Sequence, residues 1–152
     1  MSEDDYIGTL EFEFRNLIMD KLMELPNWEK EKVPEKVWQE AIDRKKTSES
    51  DPTLLDYEKR IIDYVDFTDY LRIFTFKKNW DKIFQPVFKD RDIFAGRIKI
   101  LQKLRNPIEH HRGNELRKHL SEHAHGELVQ IYNYFMWMIQ KDKDRNQPLE
   151  VD

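Results

Sequence analysis

Apolar residues recur every three or four positions along most of this chain, and that spacing predicts helices. In "TLEFEFRNLIMDKLMEL" (9–25), Leu10, Phe14, Leu17, Ile18 and Leu25 share one face, and Pro26 closes the run. "VPEKVWQEAIDRKK" predicts a second helix, with Pro34 in its first turn and Trp38 and Ile42 one turn apart. The polar stretch "TSESD" predicts a break. Asp51 before Pro52 suits the cap of a third helix, "PTLLDYEKRIIDYV", in which Leu55, Ile62 and Val65 fall at helical intervals. Two short helices are expected next, "DFTDYLRIF" opened by Asp66 or Thr68 and "NWDKIFQPVF" opened by Asn79.

"RDIFAGRIKILQKLR" repeats the helical pattern through Ile93, Phe94, Ile98, Leu101 and Leu104. A last helix is expected from about Glu115 to Lys141, with Leu116, Leu120, Ala124, Ile131, Phe135 and Met138 as its buried stripe. No stretch alternates as a strand would, and nothing repeats. The expected fold is therefore all-α, an up-and-down helical bundle with extra short helices. Residues 1–8 and 143–152 are expected as tails around one helical domain, 9–142.

Composition agrees with that picture. The 152 residues include 9 Phe, 6 Tyr and 4 Trp, enough bulky apolar surface for a core, but few Gly (4) or Pro (6) for turns. The absence of cysteine excludes disulfides and thiolate metal sites. "MSEDDYIGTL" lacks the basic-then-apolar order of a secretion signal, and "IYNYFMWMI" (131–139) is far shorter than the ~20 residues of a membrane span. A soluble cytoplasmic protein with no membrane contact is expected.

Charge changes the picture. The chain carries −4 in total, yet Arg97, Lys99, Lys103, Arg105, Arg112, Arg117 and Lys118 face only Glu109 and Glu115 between positions 97 and 119. A basic zone on an acidic body can attract a polyanion locally, although a solvated helical face has the same composition.

All five histidines lie between positions 110 and 125. "HLSEH" (119–123) matches the H-x-x-E-H pattern of some zinc peptidases, but that chemistry also needs a third ligand from a separate element and a substrate cleft. No metal and no cofactor is expected.

"LRNPIEHHRGN" (104–114) suits a different chemistry, one that works without a metal. RNA carries its own nucleophile, the 2′-hydroxyl, beside the phosphorus it attacks. A catalyst must then supply a proton acceptor, a proton donor and positive charge for the phosphorane oxygens. Histidine does either proton job near neutral pH, and the arginine fork fits phosphate. On an unbroken helix, positions five apart point about 140° away from one another. Pro107 disfavours such a helix, so Asn106 is expected to cap a new turn that begins with Pro107. Arg105 and His110 then face one pocket at a helix junction, or two copies of the chain share one. A plain helix boundary remains the alternative.

"RNPIEH" also resembles the R-polar-x-x-x-H signature of the HEPN superfamily (higher eukaryotes and prokaryotes nucleotide-binding domains). Around it, "EFEFRNLI", "VPEKVWQEA", "DYVDFTDYLRIF", "NWDKIFQPVF" and "RIKILQKLRNPIEHHR" are similar to a branch found in bacterial stand-alone, restriction-linked and ATPase-linked proteins. The likeness covers roughly residues 10–140. It implies a helical bundle that pairs as a homodimer and, in active members, cuts RNA without metal where the two motif copies meet. By position, Arg105 and His110 are then the catalytic pair and Asn106 the positioning residue. Glu109 departs from the small residue common at that place and is a secondary site residue, an acid that either orients a histidine or opposes phosphate binding. His111 and Arg112 are secondary RNA contacts, and Glu13 and Arg15 are candidates to brace the motif arginine, or else a surface ion pair.

Two functions follow as expectations. One is a metal-independent endoribonuclease, a toxin or antiviral defence effector, with RNA as substrate and an antitoxin or defence-system protein as possible partner. The other is a non-catalytic dimerisation or nucleotide-binding module that recruits partners in a defence system.

Overall fold

The computed structural model describes residues 2–51, 53, 60–110 and 122–146, with the backbone alone for Lys78 and 106–110. The protein is an all-α helical bundle. Its helices are α1 (Glu3–Leu22), α2 (Trp28–Glu31), α3 (Glu35–Glu49), α4 (Phe67–Thr75), α5 (Lys77–Asn79), α6 (Gln85–Phe88), α7 (Arg91–His110) and α8 (Glu122–Arg145). A 3₁₀ turn spans Ile61–Tyr64 and a π turn spans Trp80–Phe84. No helix among the described residues is long and apolar enough to cross a membrane.

Several expected boundaries move, each for a local reason. The presumed tail at 1–8 is mostly the start of α1. Asp5 N–H donates to Ser2 Oγ (3.2 Å) and Ser2 N–H to Asp5 Oδ2 (3.1 Å), a reciprocal cap, and Glu3, Asp4 and Asp5 lie at the positive end of the helix. At the other end, α8 continues through Arg145, into the presumed second tail. The break expected at "TSESD" begins two residues before its end: α3 runs on through Glu49, with Thr47 Oγ1 donating back to Asp43 O (3.0 Å), and stops at Ser50. Of the helix expected over 52–65, residues 52 and 54–59 lie outside the described residues, and its end is the 3₁₀ turn. Asn79 does not open a helix by capping. It is fully buried, and its Nδ2 donates to Lys32 O (2.6 Å) and Ile73 O (2.7 Å), clipping the end of α4 to the chain after α2.

The chain forms two compact units, residues 1–13 with 83–152, and residues 14–82. In the second unit, Phe14 on α1 meets Phe67, Tyr70 and Phe74 on α4, with ring centroids 6.2, 6.5 and 5.5 Å away. Val37 and Ala41, rather than half-buried Trp38 and Ile42, carry the buried face of α3.

The first unit centres on Phe88, Phe94 and Phe135, whose centroids lie 4.4 to 6.1 Å apart. Each ring is fully buried and contributes about 1.5–3 kcal/mol over exposure. Helix directions follow from paired contacts. His125 meets Glu3 and Lys143 meets Glu13, so α1 runs along α8 in the same direction. Tyr134 meets Arg97 whereas Arg145, later in α8, bonds Pro86 O ahead of α7, so α7 and α8 are antiparallel. Ile93, expected in the buried stripe of α7, is 50% exposed. On α8 the buried stripe is Leu128, Ile131, Phe135 and Ile139, with Ala124 and Met138 half-buried; Leu116 and Leu120 lie outside the described residues.

Candidate functional site

The rotation of α7 is set by Phe94, Ile98, Leu101 and Leu104, all buried on one face. Arg105 follows at the edge of that face and turns toward α1. Its Nε donates to Glu11 Oε1 at 3.1 Å, and the two side chains are 18% and 27% exposed. A bond through Nε fixes the plane of the guanidinium fork, so the cation is held in place before any ligand arrives.

The bracing expected of Glu13 and Arg15 falls instead to Glu11. Positions two apart on a helix differ by about 160° around its axis, so Glu11 and Glu13 face different neighbours. Glu13 Oε2 accepts from Lys143 Nζ on α8 (3.1 Å). Arg15 belongs to the other unit, where its Nε donates to Tyr70 Oη (3.2 Å) and lies 3.5 Å from Asp63 Oδ1. The sequence carries a signal for this, two carboxylates in an apolar helix. Choosing between them requires knowing which helix lies on which side.

Among the described residues, no helix junction interrupts the motif. Helix α7 runs without interruption from Arg91 to His110, through Asn106 and Pro107, so Asn106 caps no new turn. Proline here removes one backbone bond, to Lys103 O, in the last turns of a 20-residue helix. The apolar stripe packed into the core outweighs that loss. For Asn106, Glu109 and His110 the backbone alone is described, and His111 and Arg112 lie outside the described residues. In this unbroken register, positions 105 and 110 stand about 140° apart around the axis. A single α7 therefore does not present both positions to one point.

Positive charge continues along the helix. Arg91, Arg97, Lys99, Lys103 and Arg105 stand against Asp92 alone between 91 and 105, and Lys99 and Lys103 are exposed. Arg97 lies over the Tyr134 ring, 4.5 Å from its centroid. Burial pushes the Tyr134 phenol up, with Arg97 acting in the opposite sense. Its ring thus stays neutral at physiological pH and offers a π face to the cation.

The two described histidines after the motif, His123 and His125, have carboxylate partners. His123 Nε2 lies 3.0 Å from Glu127 Oε1. His125 Nδ1 lies 3.3 Å from Glu3 Oε1, with Tyr6 edge-on at 6.1 Å. His119, the first position of the H-x-x-E-H pattern, lies outside the described residues, and no cluster of three metal-ligating side chains occurs among those described. Comparisons with protein-family models, curated proteins and solved structures match this chain to none of them.

Proposed function

We propose that the protein is a metal-independent endoribonuclease of the HEPN kind, acting as a homodimer in which Arg105 of one copy and His110 of the other serve the same phosphodiester. The observation that carries the reading is Arg105 itself, an arginine of the signature held by Glu11 at 3.1 Å on a basic helix. The 140° offset of position 110 along that helix favours a shared site over one built within a single chain.

The chemistry balances without a cofactor. A base takes the proton from the 2′-hydroxyl, whose oxygen attacks phosphorus. The P–O5′ bond breaks as an acid protonates the departing 5′-oxygen, leaving a 2′,3′-cyclic phosphate and a 5′-hydroxyl. Histidine suits both proton transfers, and the Arg105 cation offsets charge on the phosphorane oxygens. Asn106 is the positioning residue, and His111 and Arg112 are RNA contacts beside the break. A cytoplasmic toxin or antiviral effector restrained by an antitoxin or partner protein is the setting this activity fits.

The test is cleavage of single-stranded and transfer RNA in EDTA. Arg105→Ala and His110→Ala should each lower the rate by about 10²–10⁴-fold while helix content stays unchanged. Intact RNA at high protein concentration overturns the proposal.

A second reading rests on the same ion pair. With Arg105 only 18% exposed and paired to Glu11, the arginine can serve as a strut in a non-catalytic dimerisation or nucleotide-binding module that recruits defence partners. Unfolding of Arg105→Ala, with no cleavage by the parent protein, selects that reading.

A further inference from the structure

The outer side of α8, away from α1, carries an aromatic and cationic stripe. Tyr134, Trp137 and Lys141 follow one another at three- and four-residue intervals and so share one face. Trp137 is 60% exposed, an unusual position for the side chain with the largest apolar surface. The other tryptophans differ: Trp28 and Trp80 are buried and Trp38 is half-buried. Lys141 Nζ lies 5.5 Å from the centre of the Trp137 ring.

Helix α7 extends this surface. Arg97 covers Tyr134, and Ile93 and Ile100, one turn to either side of Arg97, are 50% and 38% exposed. Exposed Lys103 lies six residues beyond Arg97, about 9 Å along the axis and about 120° around it, past Ile100. From Arg97 to Arg105 the helix rises about 12 Å. The Asp90 carboxylate also acts on Tyr134, and it accepts from Ile93 N–H (2.9 Å) and so caps α7.

We propose that this face is a docking platform for single-stranded RNA, on which a base stacks against Trp137 while Lys141, Arg97 and Lys103 contact phosphates. It rests on the reading that RNA is the substrate, and it names the form of RNA and the surface that receives it. Stacking on an exposed ring needs an unpaired base, so a duplex, whose bases are already stacked, is disfavoured. Charge argues against a second copy of the chain as the occupant. A two-fold contact through this face would set Arg97, Lys103 and Lys141 against the same three cations. A polyanion is drawn to those three cations instead, and the exposed carboxylate of Asp144, two turns beyond Trp137, is held by Gln140 Nε2 (3.0 Å).

The test uses the full chain and a labelled single-stranded RNA of twelve 2′-O-methyl uridines, which cannot be cleaved. Binding is read by anisotropy and by quenching of tryptophan fluorescence. Trp137→Ala should weaken binding at least about fivefold and remove most of the quenching, while Trp137→Phe keeps most of the affinity. Lys141→Gln should flatten the salt dependence of binding.

Binding of the duplex as tight as that of the single strand overturns the proposal. So does equal affinity in parent and Trp137→Ala, or no binding even at low salt. A shift of Trp137→Ala from dimer to monomer with RNA affinity unchanged assigns the face to a second copy instead. Because this oligomer cannot be cut, an inactive protein that still binds it through Trp137 leaves the platform standing and rejects only the nuclease reading.

Discussion

At the scale of single residues, the contact between Arg105 and Glu11 does two things with one carboxylate. It holds the cation in place, and it cancels part of the charge that a phosphate would feel. At the observed exposures the pair contributes about 1 kcal/mol or less to stability, so its use lies in geometry. Glu11→Gln should leave the fold intact but loosen the fork, lowering RNA cleavage by about ten- to a hundredfold. Glu13→Gln removes only a contact to Lys143 and should leave cleavage near the parent rate. Equal effects of the two changes would reject the bracing role of Glu11. Asp69 offers a second test, unconnected with RNA. It is 5% exposed, and burial pushes its pKa above the ordinary 3.8, with Arg72 (3.2 Å) pulling the other way. The folded protein thus holds the Asp69 proton more readily than the unfolded chain does. That contribution to stability is fully present below the unfolded pKa and is lost as pH rises through the folded one. Asp69→Asn should therefore melt above the parent protein at pH 7, and the gap should close as pH falls toward about 4. A lower melting temperature at pH 7 would show that the Arg72 pairing outweighs burial.

At the scale of elements, what could be read in advance depended on whether a helix is specified by its own periodicity or by its neighbours. The three-to-four spacing of Phe94, Ile98, Leu101 and Leu104 is enough to define α7, because one wide buried face sets both the helix and its rotation. The same spacing in "RIIDYV" does not yield an α-helix, since the described part is a 3₁₀ turn between Arg60 and Val65, both extended. Asn79 looks like a cap in sequence yet spends its amide on two carbonyls, 47 and 6 residues away. No local pattern encodes that. The motif behaves similarly: the basic character of the stretch ending at Arg105 is plain in the sequence, whereas the unbroken passage of α7 through Pro107 depends on the packing of the helix body. The link from α6 to α7 is equally hidden. Lys89 has φ 69° and ψ −73°, and Asp90 N–H donates to Phe88 O (2.9 Å), which is a γ-turn centred on a residue with a Cβ. Such strain costs about 1–3 kcal/mol, part of which glycine returns as chain entropy. Lys89→Gly should raise stability by about 1 kcal/mol, or about 2–4 °C in Tm. A fall in Tm would mean that the turn carries no strain.

At the scale of the whole molecule, the decisive question is whether the site belongs to one chain or to two. On the unbroken α7, positions 105 and 110 diverge by about 140°, while a two-fold axis beside the motif would bring position 110 of one copy toward position 105 of the other. That arrangement makes a quantitative demand on mixtures. A homodimer of Arg105→Ala has two sites, each lacking an arginine, and a homodimer of His110→Ala has two sites, each lacking a histidine. In the mixed dimer, one site lacks both groups and the other lacks neither. Random exchange puts about half of the chains into mixed dimers with one good site in two, so two inactive proteins should together recover about a quarter of the parent rate. If each site is built within one chain, mixing restores nothing, because no chain in the mixture carries both groups. The recovered activity should also fall on dilution below the dissociation constant of the dimer, in step with the fraction of monomer seen by sedimentation. Recovery that survives such dilution would place both groups within reach of one another by some route other than a partner, and the shared site would have to be abandoned.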